Sequence, residues 1–124
     1  MIESITIILP LPPLAVRPNS CTHWRTKAKH TKACRLLSNA MCKQALAGHK
    51  SPMWKKANMK IEARFKTWKH MDPSNLMASM KAYEDGIQDA GIIANDLGLW
   101  PERPTIFTKS KEPGLTITIT PEEV

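Results

Sequence analysis

The chain has 124 residues and a formal net charge of +7, and one domain is expected at this length. Hydrophobic residues make up 42% and charged residues 23%, which is ordinary for a globular domain. No apolar run reaches the length of a membrane span, and the first residues lack the pattern of a signal peptide. We therefore expect a cytoplasmic protein whose three cysteines are free thiols.

Charge is distributed unevenly along the chain. Fourteen of the eighteen Lys and Arg residues lie between Arg17 and Lys69, where Glu62 is the single acid. Six acids and one cation, Lys81, follow between residues 71 and 102. This pattern favours a nucleic acid as partner, with neighbouring carboxylates that could hold Mg²⁺ against a phosphate. Two solvated surfaces of opposite sign are the alternative interpretation.

The first half of the chain predicts a strand and a long basic helix. Residues 2–9 are typical of a strand, and both of its faces could be covered because Ile8 is apolar. Residues 22–47 predict a helix that Gly48 ends. Its predicted apolar face is Ala28, Ala33, Leu36, Leu37, Ala40, Met41 and Leu46, and its other face carries Arg25, Lys27, Lys29, Lys32, Arg35 and Lys43.

The second half predicts a strand, a helix and two further strands. Residues 58–68 alternate strictly, with Lys60, Glu62, Arg64 and Lys66 on the solvated face. A helix of roughly 20 residues is predicted from Asp72 or Ser74 to Gly91, with a buried line at Leu76, Met80, Tyr83, Ile87 and Ala90. Residues 105–109 and 115–120 predict strands joined by a turn at Pro113-Gly114. The expected fold is an α/β (α+β) domain with β-α-β-α-β-β order and a mixed sheet.

Candidate chemical groups lie at both ends of the second predicted helix. In a continuous helix Lys81 lies two turns beyond Ser74, so the two side chains face the same way. Asp96 in the exit loop reaches Asp72 only if that loop folds back across the sheet edge. The alternatives are that Asp72 is only a helix cap and that Lys81 is a solvated residue paired with Asp85.

Short motifs in a fixed order cover nearly the whole chain. They are Leu9-Pro10-Leu11-Pro12-Pro13, Pro18-Asn19, His23-Trp24, Asp72-Pro73-Ser74-Asn75-Leu76, Lys81-Ala82, Asp85-Gly86-Ile87, Asp89-Ala90-Gly91, Asn95-Asp96 and the strand at residues 115–120. In these motifs the chain resembles the RusA-type Holliday-junction resolvases, especially phage-borne members. The resemblance implies an α/β homodimer that cuts four-way DNA junctions in recombination and repair, using Mg²⁺ with Mn²⁺ as a substitute, inside a bacterial or phage-infected cell.

The family's helix start has the pattern Asp-x-Asp-Asn, followed by a Lys and a final Asp. The resemblance implies that Asp72, Lys81 and Asp96 are catalytic and that Asp72 and Asp96 bind the metal. Ser74 stands where the family has its second Asp, and a hydroxyl is a poor substitute for a carboxylate as a Mg²⁺ ligand. Glu84 or a carboxylate of a partner chain could replace it. An inactive junction-binding protein and a small phage protein that binds a host protein are the alternatives.

The basic segment predicts the DNA-binding surface. The candidate contacts are Arg25, Lys27, Lys29, Lys32, Arg35, Arg64, Lys66 and Lys69. Trp54 lies in a basic loop and is the expected stacking residue for an unpaired base. Trp24 and Trp68 are expected in the core or at a dimer interface.

Overall fold

A mixed sheet with helices on one face forms the framework of the protein in a computed structural model, which describes residues 2–13, 16–17, 23–67 and 72–122. Within those residues the strands are β1 (Ile5–Leu9), β2 (Ala57–Arg64), β3 (Leu99–Pro101), β4 (Thr105–Phe107) and β5 (Gly114–Pro121). The helices are α1 (Trp24–Leu46), α2 (Pro73–Ser79) and α3 (Lys81–Asp89), and a 3₁₀ helix spans Asp96–Gly98. The predicted small α+β domain with a mixed sheet is confirmed.

The strand β5 lies between β1 and β2 and runs antiparallel to both. The other edge of β2 pairs in parallel with β3 near its start and with β4 near its end. Because β4 and β5 lie on opposite sides of β2, the turn predicted at Pro113-Gly114 does not join them as a paired hairpin. The strand β3 is absent from the predicted order because three residues ending in proline carry no alternation signal.

One face of the sheet is buried under the helices, and the other is open. The alternation predicted for β2 and β5 is confirmed, with Met59, Ile61 and Ile117 fully buried and their polar neighbours at or near the surface. In β1 the expectation that both faces are covered is wrong, because Ile8 is 62% exposed on the open face. Side chains on the open face therefore lie on the opposite side of the sheet from α1.

The helix α1 lies within its predicted bounds, and of its predicted apolar face Leu46 is buried and Met41 half-buried, whereas the other members are exposed. Its buried residues are Cys34, Ser38, Cys42 and Leu46, while the predicted core residues Leu36 and Leu37 are 57% and 38% exposed. The buried stripe of α1 is narrow because the helix packs closely against α3 and β1 through small side chains. The helix ends at Leu46, and Ala47 adopts the left-handed conformation at φ 51°, one residue before the predicted stop at Gly48.

Two cysteines in the described part of the chain are free thiols, as expected. Cys34 and Cys42 lie on the buried face of α1, and burial raises the pKa of the Cys42 thiol to about 12. Thiols in such surroundings are poor nucleophiles because little thiolate forms at neutral pH. Cys21 lies outside the described residues.

The predicted second helix is broken in two at Met80. The Ser79 hydroxyl donates to the carbonyl oxygen of Asn75 at 2.8 Å, and the Met80 amide bonds to the Met77 carbonyl at 3.1 Å, one residue short of the α-helical partner. A serine that bonds back to its own helix in this way bends the backbone. The buried line predicted across the segment is nevertheless confirmed, because Leu76, Met80, Tyr83, Ile87 and Ala90 are all buried.

Candidate active site and nucleic-acid interface

Asp72 caps the N-terminus of α2, and its carboxylate is held by Asn75. Asp72 Oδ1 accepts a hydrogen bond from the Asn75 backbone amide at 2.9 Å, and Oδ2 accepts one from Asn75 Nδ2 at 2.8 Å. The side chain is exposed at the surface. A carboxylate has about four acceptor positions, so these two bonds fix its orientation and leave capacity for a metal or another donor.

Ser74 lies two residues further along the chain, in an open cleft of about 440 Å³. The opposite wall is the segment of residues 101–104, which contributes Glu102 and Arg103. The Glu102 amide donates to the Met59 carbonyl at 2.9 Å, which fixes this segment beside β2. Glu102 is therefore a carboxylate in the cleft of Ser74 that sequence reasoning missed, because no spacing rule connects residues 102 and 74.

Lys81 lines a different cleft, of about 230 Å³, together with Glu84, Asp85 and Leu97. Lys81 Nζ lies 3.1 Å from Asp85 Oδ1, which confirms the predicted pair at i,i+4. The expectation that Ser74 and Lys81 face the same way in one continuous helix is wrong, because the break at Met80 separates them into two helices and two clefts.

Asp96 begins the 3₁₀ helix whose next residue, Leu97, lines the Lys81 cleft. This helix is held close to the chain at Lys55. A Cβ on Gly98 would lie 2.2 Å from the Lys55 carbonyl oxygen, so only glycine fits there. The backbone at residue 96 therefore runs beside the Lys81 cleft, and the approach of Asp96 to Asp72 stays a prediction.

The metal site implied by the resemblance depends on few protein ligands. No group of three His, Cys, Asp or Glu side chains close enough to hold a metal occurs in the part of the chain that the structure describes. Asp72 is exposed and has spare acceptor capacity, so it fits the role of a Mg²⁺ ligand. A Mg²⁺ ion at Asp72 would take most of its other ligands from phosphate oxygens, water and residues beyond this cap.

Glu84 is the titratable group of the Lys81 cleft whose environment is most unusual. Burial raises the pKa of its carboxyl group, and the neighbouring Asp85 raises it further, while Lys81 opposes both. A half-buried carboxylate with a raised pKa is found at functional sites and also in structural clusters. Glu84 was expected only as a replacement for the missing family Asp, and the structure places it with Lys81 and away from the Ser74 cleft.

Glu84→Gln is expected to stabilise the fold at neutral pH. Because the folded-state pKa of Glu84 is raised, wild type loses stability as pH rises from the unfolded-state pKa through the folded-state pKa. Gln carries no charge, so the variant should be more stable than wild type at neutral pH. This difference in the free energy of unfolding should shrink near pH ~4. Urea denaturation at both pH values measures this, with the exposed Glu112→Gln as control. An equal gain at both pH values would contradict the burial effect.

The predicted DNA-binding residues fall on two sides of the molecule. Four candidates on α1 are exposed: Arg25, Lys27, Lys29 and Lys32. Arg64 is half-buried on the open sheet face, where it donates to the Glu112 carbonyl and the Thr116 hydroxyl at 3.2 and 2.7 Å. Lys66 is exposed just beyond β2, and Lys69 lies outside the described residues. One continuous footprint on α1 and β2 is therefore not formed, and α1 carries the larger cationic surface.

Arg35 is also a special case among the candidates on α1. Its guanidinium makes two hydrogen bonds to the Asp89 carboxylate of α3, at 2.5 and 2.8 Å. The pair raises the pKa of Arg35 and lowers that of Asp89. Arg35 therefore joins two helices, and Asp89 offsets much of its charge.

The tryptophans differ from expectation. Trp54 is half-buried against the core, its backbone bonds to Ile92 and Ala94, and it lines an open groove with His49 and Lys50, so its role as a stacking residue stays a prediction. Trp24 is 67% exposed at the start of α1 and is not a core residue. Trp100 is 54% exposed, with the Lys56 ammonium 4.5 Å from its ring centre. Trp68 lies outside the described residues.

Comparison with known proteins leaves the family open. No protein-family model matches the chain. An uncharacterized protein of Xylella fastidiosa (strain Temecula1 / ATCC 700964) is 27% identical over 124 residues, covering 93% of this chain and 75% of that protein. That name states no activity, so the similarity carries no function to this chain. In the described residues, no helix has the length and apolar character that crossing a bilayer requires.

Proposed function

We propose that the protein is a Mg²⁺-dependent, structure-selective endodeoxyribonuclease that resolves four-way DNA junctions, with Mn²⁺ as a substitute metal. The observation that carries the proposal is the Asp72–Asn75 pair. These two members of the Asp-Pro-Ser-Asn motif hold each other at the start of α2, leaving an exposed, oriented carboxylate. The RusA-like order of motifs and the exposed cations of α1 support the same activity.

The proposed roles follow from the chemistry of each side chain. When bound, Mg²⁺ would position a water nucleophile and stabilise charge on the phosphate. Asp72 would bind the metal in the orientation that Asn75 fixes, and Asp96 is proposed as its second carboxylate ligand. Lys81 is 67% exposed at its side chain and would leave Asp85 to neutralise negative charge on the phosphate. Ser74 would be a weak third ligand.

A catalytically inactive junction-binding protein is the second candidate. Ser74 in place of a carboxylate favours it. A labelled mobile four-way junction, incubated with and without Mg²⁺ or Mn²⁺, distinguishes these functions. Metal-dependent cutting supports the nuclease, whereas tight binding without cutting supports the inactive binder. Absence of binding to any DNA would favour a protein partner.

The proposed nuclease is a homodimer, because a four-way junction has near two-fold symmetry and a C₂ dimer presents two sites to opposed strands. The outward face of α1 carries Leu36 and Leu37, exposed with alanines on either side at helical spacing. A second copy of the chain would bury this stripe in a two-fold contact between α1 helices. Sedimentation at the concentration of the cleavage assay tests the dimer.

Reversing Lys29 and Lys32 to Glu is expected to weaken binding to junction and duplex alike. Both residues are exposed on α1, and each phosphate contact adds about 0.9 to the slope of log affinity against log salt. The slope should therefore fall by roughly 1.8 if each lysine contacts one phosphate. Lys109→Glu with Lys111→Glu changes the net charge equally in the loop between β4 and β5, and it should leave the slope nearly unchanged. If the two double variants change the slope equally, the DNA-binding surface is not on α1.

A further inference from the structure

A groove lies between the first half of α1 and the start of α3, and the proposed active site does not include it. It has a volume of about 520 Å³ and is lined by one face of α1, from Trp24 to Arg35, and by Asp85 of α3. Its lining includes Lys27, Thr31 and Lys32. This face continues the buried line of α1 towards its N-terminus, beyond the point where α3 covers it.

The charge of the groove is positive once the ion pairs are considered. Asp85 is paired with Lys81, and Arg35 is paired with Asp89. Neither Lys27 nor Lys32 forms an ion pair with any residue that the structure describes, and both are exposed. The groove therefore offers two ammonium groups, which are complementary to phosphate.

Trp24 provides an aromatic surface at one end of the groove. Its ring stacks against His23, with centroids 5.7 Å apart, and the Arg25 guanidinium lies 5.2 Å from its centre. Neither His23 nor Arg25 lines the groove, whereas Trp24 does. These contacts help to orient the indole, and Trp24 remains 67% exposed at the edge of the groove.

The groove leads to the Lys81 cleft. Asp85 lines both, so the two depressions lie next to each other. Lys27 and Lys32 are five residues apart, a rise of about 7.5 Å along α1, so their flexible side chains can reach successive phosphates of one strand. A strand held along α1 would therefore approach Lys81 at its far end.

We propose that this groove binds an unpaired nucleotide of branched DNA, with its base stacked on Trp24 and its flanking phosphates held by Lys27 and Lys32. This inference rests on the proposed function and adds a single-strand subsite to it. The ligand class follows from an exposed indole at the edge of the groove, beside two ammonium groups that form no ion pair within the described residues. Stacking on an aromatic side chain tolerates any base, so no sequence preference is expected from this subsite.

The test compares a labelled oligo-dT strand with a blunt duplex of equal length by fluorescence anisotropy. Trp24→Ala is expected to weaken binding to the single strand by roughly 10-fold, within the range measured for loss of one stacked base, and binding to duplex by less than about twofold. Its salt slope should not change, because no charge is lost. Trp24→Phe should restore most of the affinity. Lys27→Ala should lower the single-strand slope by about 0.7.

Trp100→Ala is the matched control, because Trp100 is also exposed and lies on the open sheet face away from the groove. It should bind both DNAs like wild type. If Trp24→Ala also behaves like wild type, or loses single strand and duplex equally, the subsite is overturned although the nuclease proposal stands. If wild type binds the four-way junction but not the single strand, the subsite fails and the proposed function stands; if it binds no DNA, the junction included, both fail.

Discussion

Ser74→Asp is expected to raise Mg²⁺-dependent cleavage of a four-way junction by at least one order of magnitude. Ser74 occupies the motif position where the resembling family has a carboxylate, and loss of one such electrostatic contact typically costs roughly 3 kcal/mol of transition-state stabilisation. The side chain is exposed at an open cleft, so Asp fits without repacking. Initial rates of junction cleavage at saturating enzyme measure the change.

Ser74→Ala is the matched control, because it removes the hydroxyl without adding charge. Binding without metal should change little or weaken slightly for Ser74→Asp, since the new carboxylate repels phosphate. A robust wild-type nuclease that gains nothing would show that another group completes the site. Glu102, on the opposite wall of the same cleft, is then the carboxylate to replace by Gln. If Ser74→Asp also fails to cut the junction, the result favours the inactive junction-binding protein.

Gly86→Ala is expected to destabilise the fold by roughly 2 kcal/mol or more. A Cβ at this position would lie 2.3 Å from the Arg35 carbonyl oxygen and 2.7 Å from Ser38 Cβ. Overpacking of this kind costs about 1–3 kcal/mol or more, whereas the better helix propensity of Ala stabilises the fold by at most about 1 kcal/mol. The atom that must give way is a backbone oxygen of α1, so the two helices must separate. Urea denaturation measures the loss.

Gly48→Ala provides the contrast for this experiment. A Cβ on Gly48 meets no atom within 4 Å, so only its positive φ of 85° opposes the substitution. Its cost should be near 1 kcal/mol, as is typical for Gly at left-handed positions. If Gly86→Ala costs no more than Gly48→Ala, close contact between α1 and α3 does not determine the stability of this layer.

The sequence predicted those elements whose pattern agrees with their final burial. The alternation of β2 and β5 identified the buried and open faces of the sheet, because each strand packs against helices on one side. The apolar line from Leu76 to Ala90 identified the packed face of α2 and α3. These segments could be predicted because local periodicity and tertiary packing favour the same arrangement.

The first helix shows where local pattern is insufficient. Leu36 and Leu37 predicted the buried face, but α3 approaches the line of Cys34 and Ser38, where small side chains and Gly86 allow close contact. Hydrophobicity alone cannot identify such a contact, because it depends on which partner helix is present. The break at Met80 was missed for a related reason, since the Ser79 side-chain bond to Asn75 and the short backbone bond from Met80 to Met77 leave no mark on the hydrophobic pattern.

The candidate site could be predicted only in its local part. Asp72 was identified as a possible cap because N-cap preferences depend on a few neighbouring residues. The relation of Ser74 to Lys81 assumed a continuous helix and is wrong. Glu102 beside Ser74, and Asp85 in the lining of two clefts, result from sheet pairing and helix packing, which sequence spacing does not encode.

Cleavage of a mobile four-way junction by Asp72→Asn tests the central claim most directly. Asn is as good an N-cap as Asp, so the variant should keep α2 and its fold. We expect the Mg²⁺-dependent cutting seen in wild type, or in the Ser74→Asp background, to vanish when Asp72 becomes Asn, while junction binding is kept or slightly tightened. Undiminished cutting by Asp72→Asn, or no cutting in either background, would contradict the assignment of Asp72 as the metal ligand of a junction nuclease.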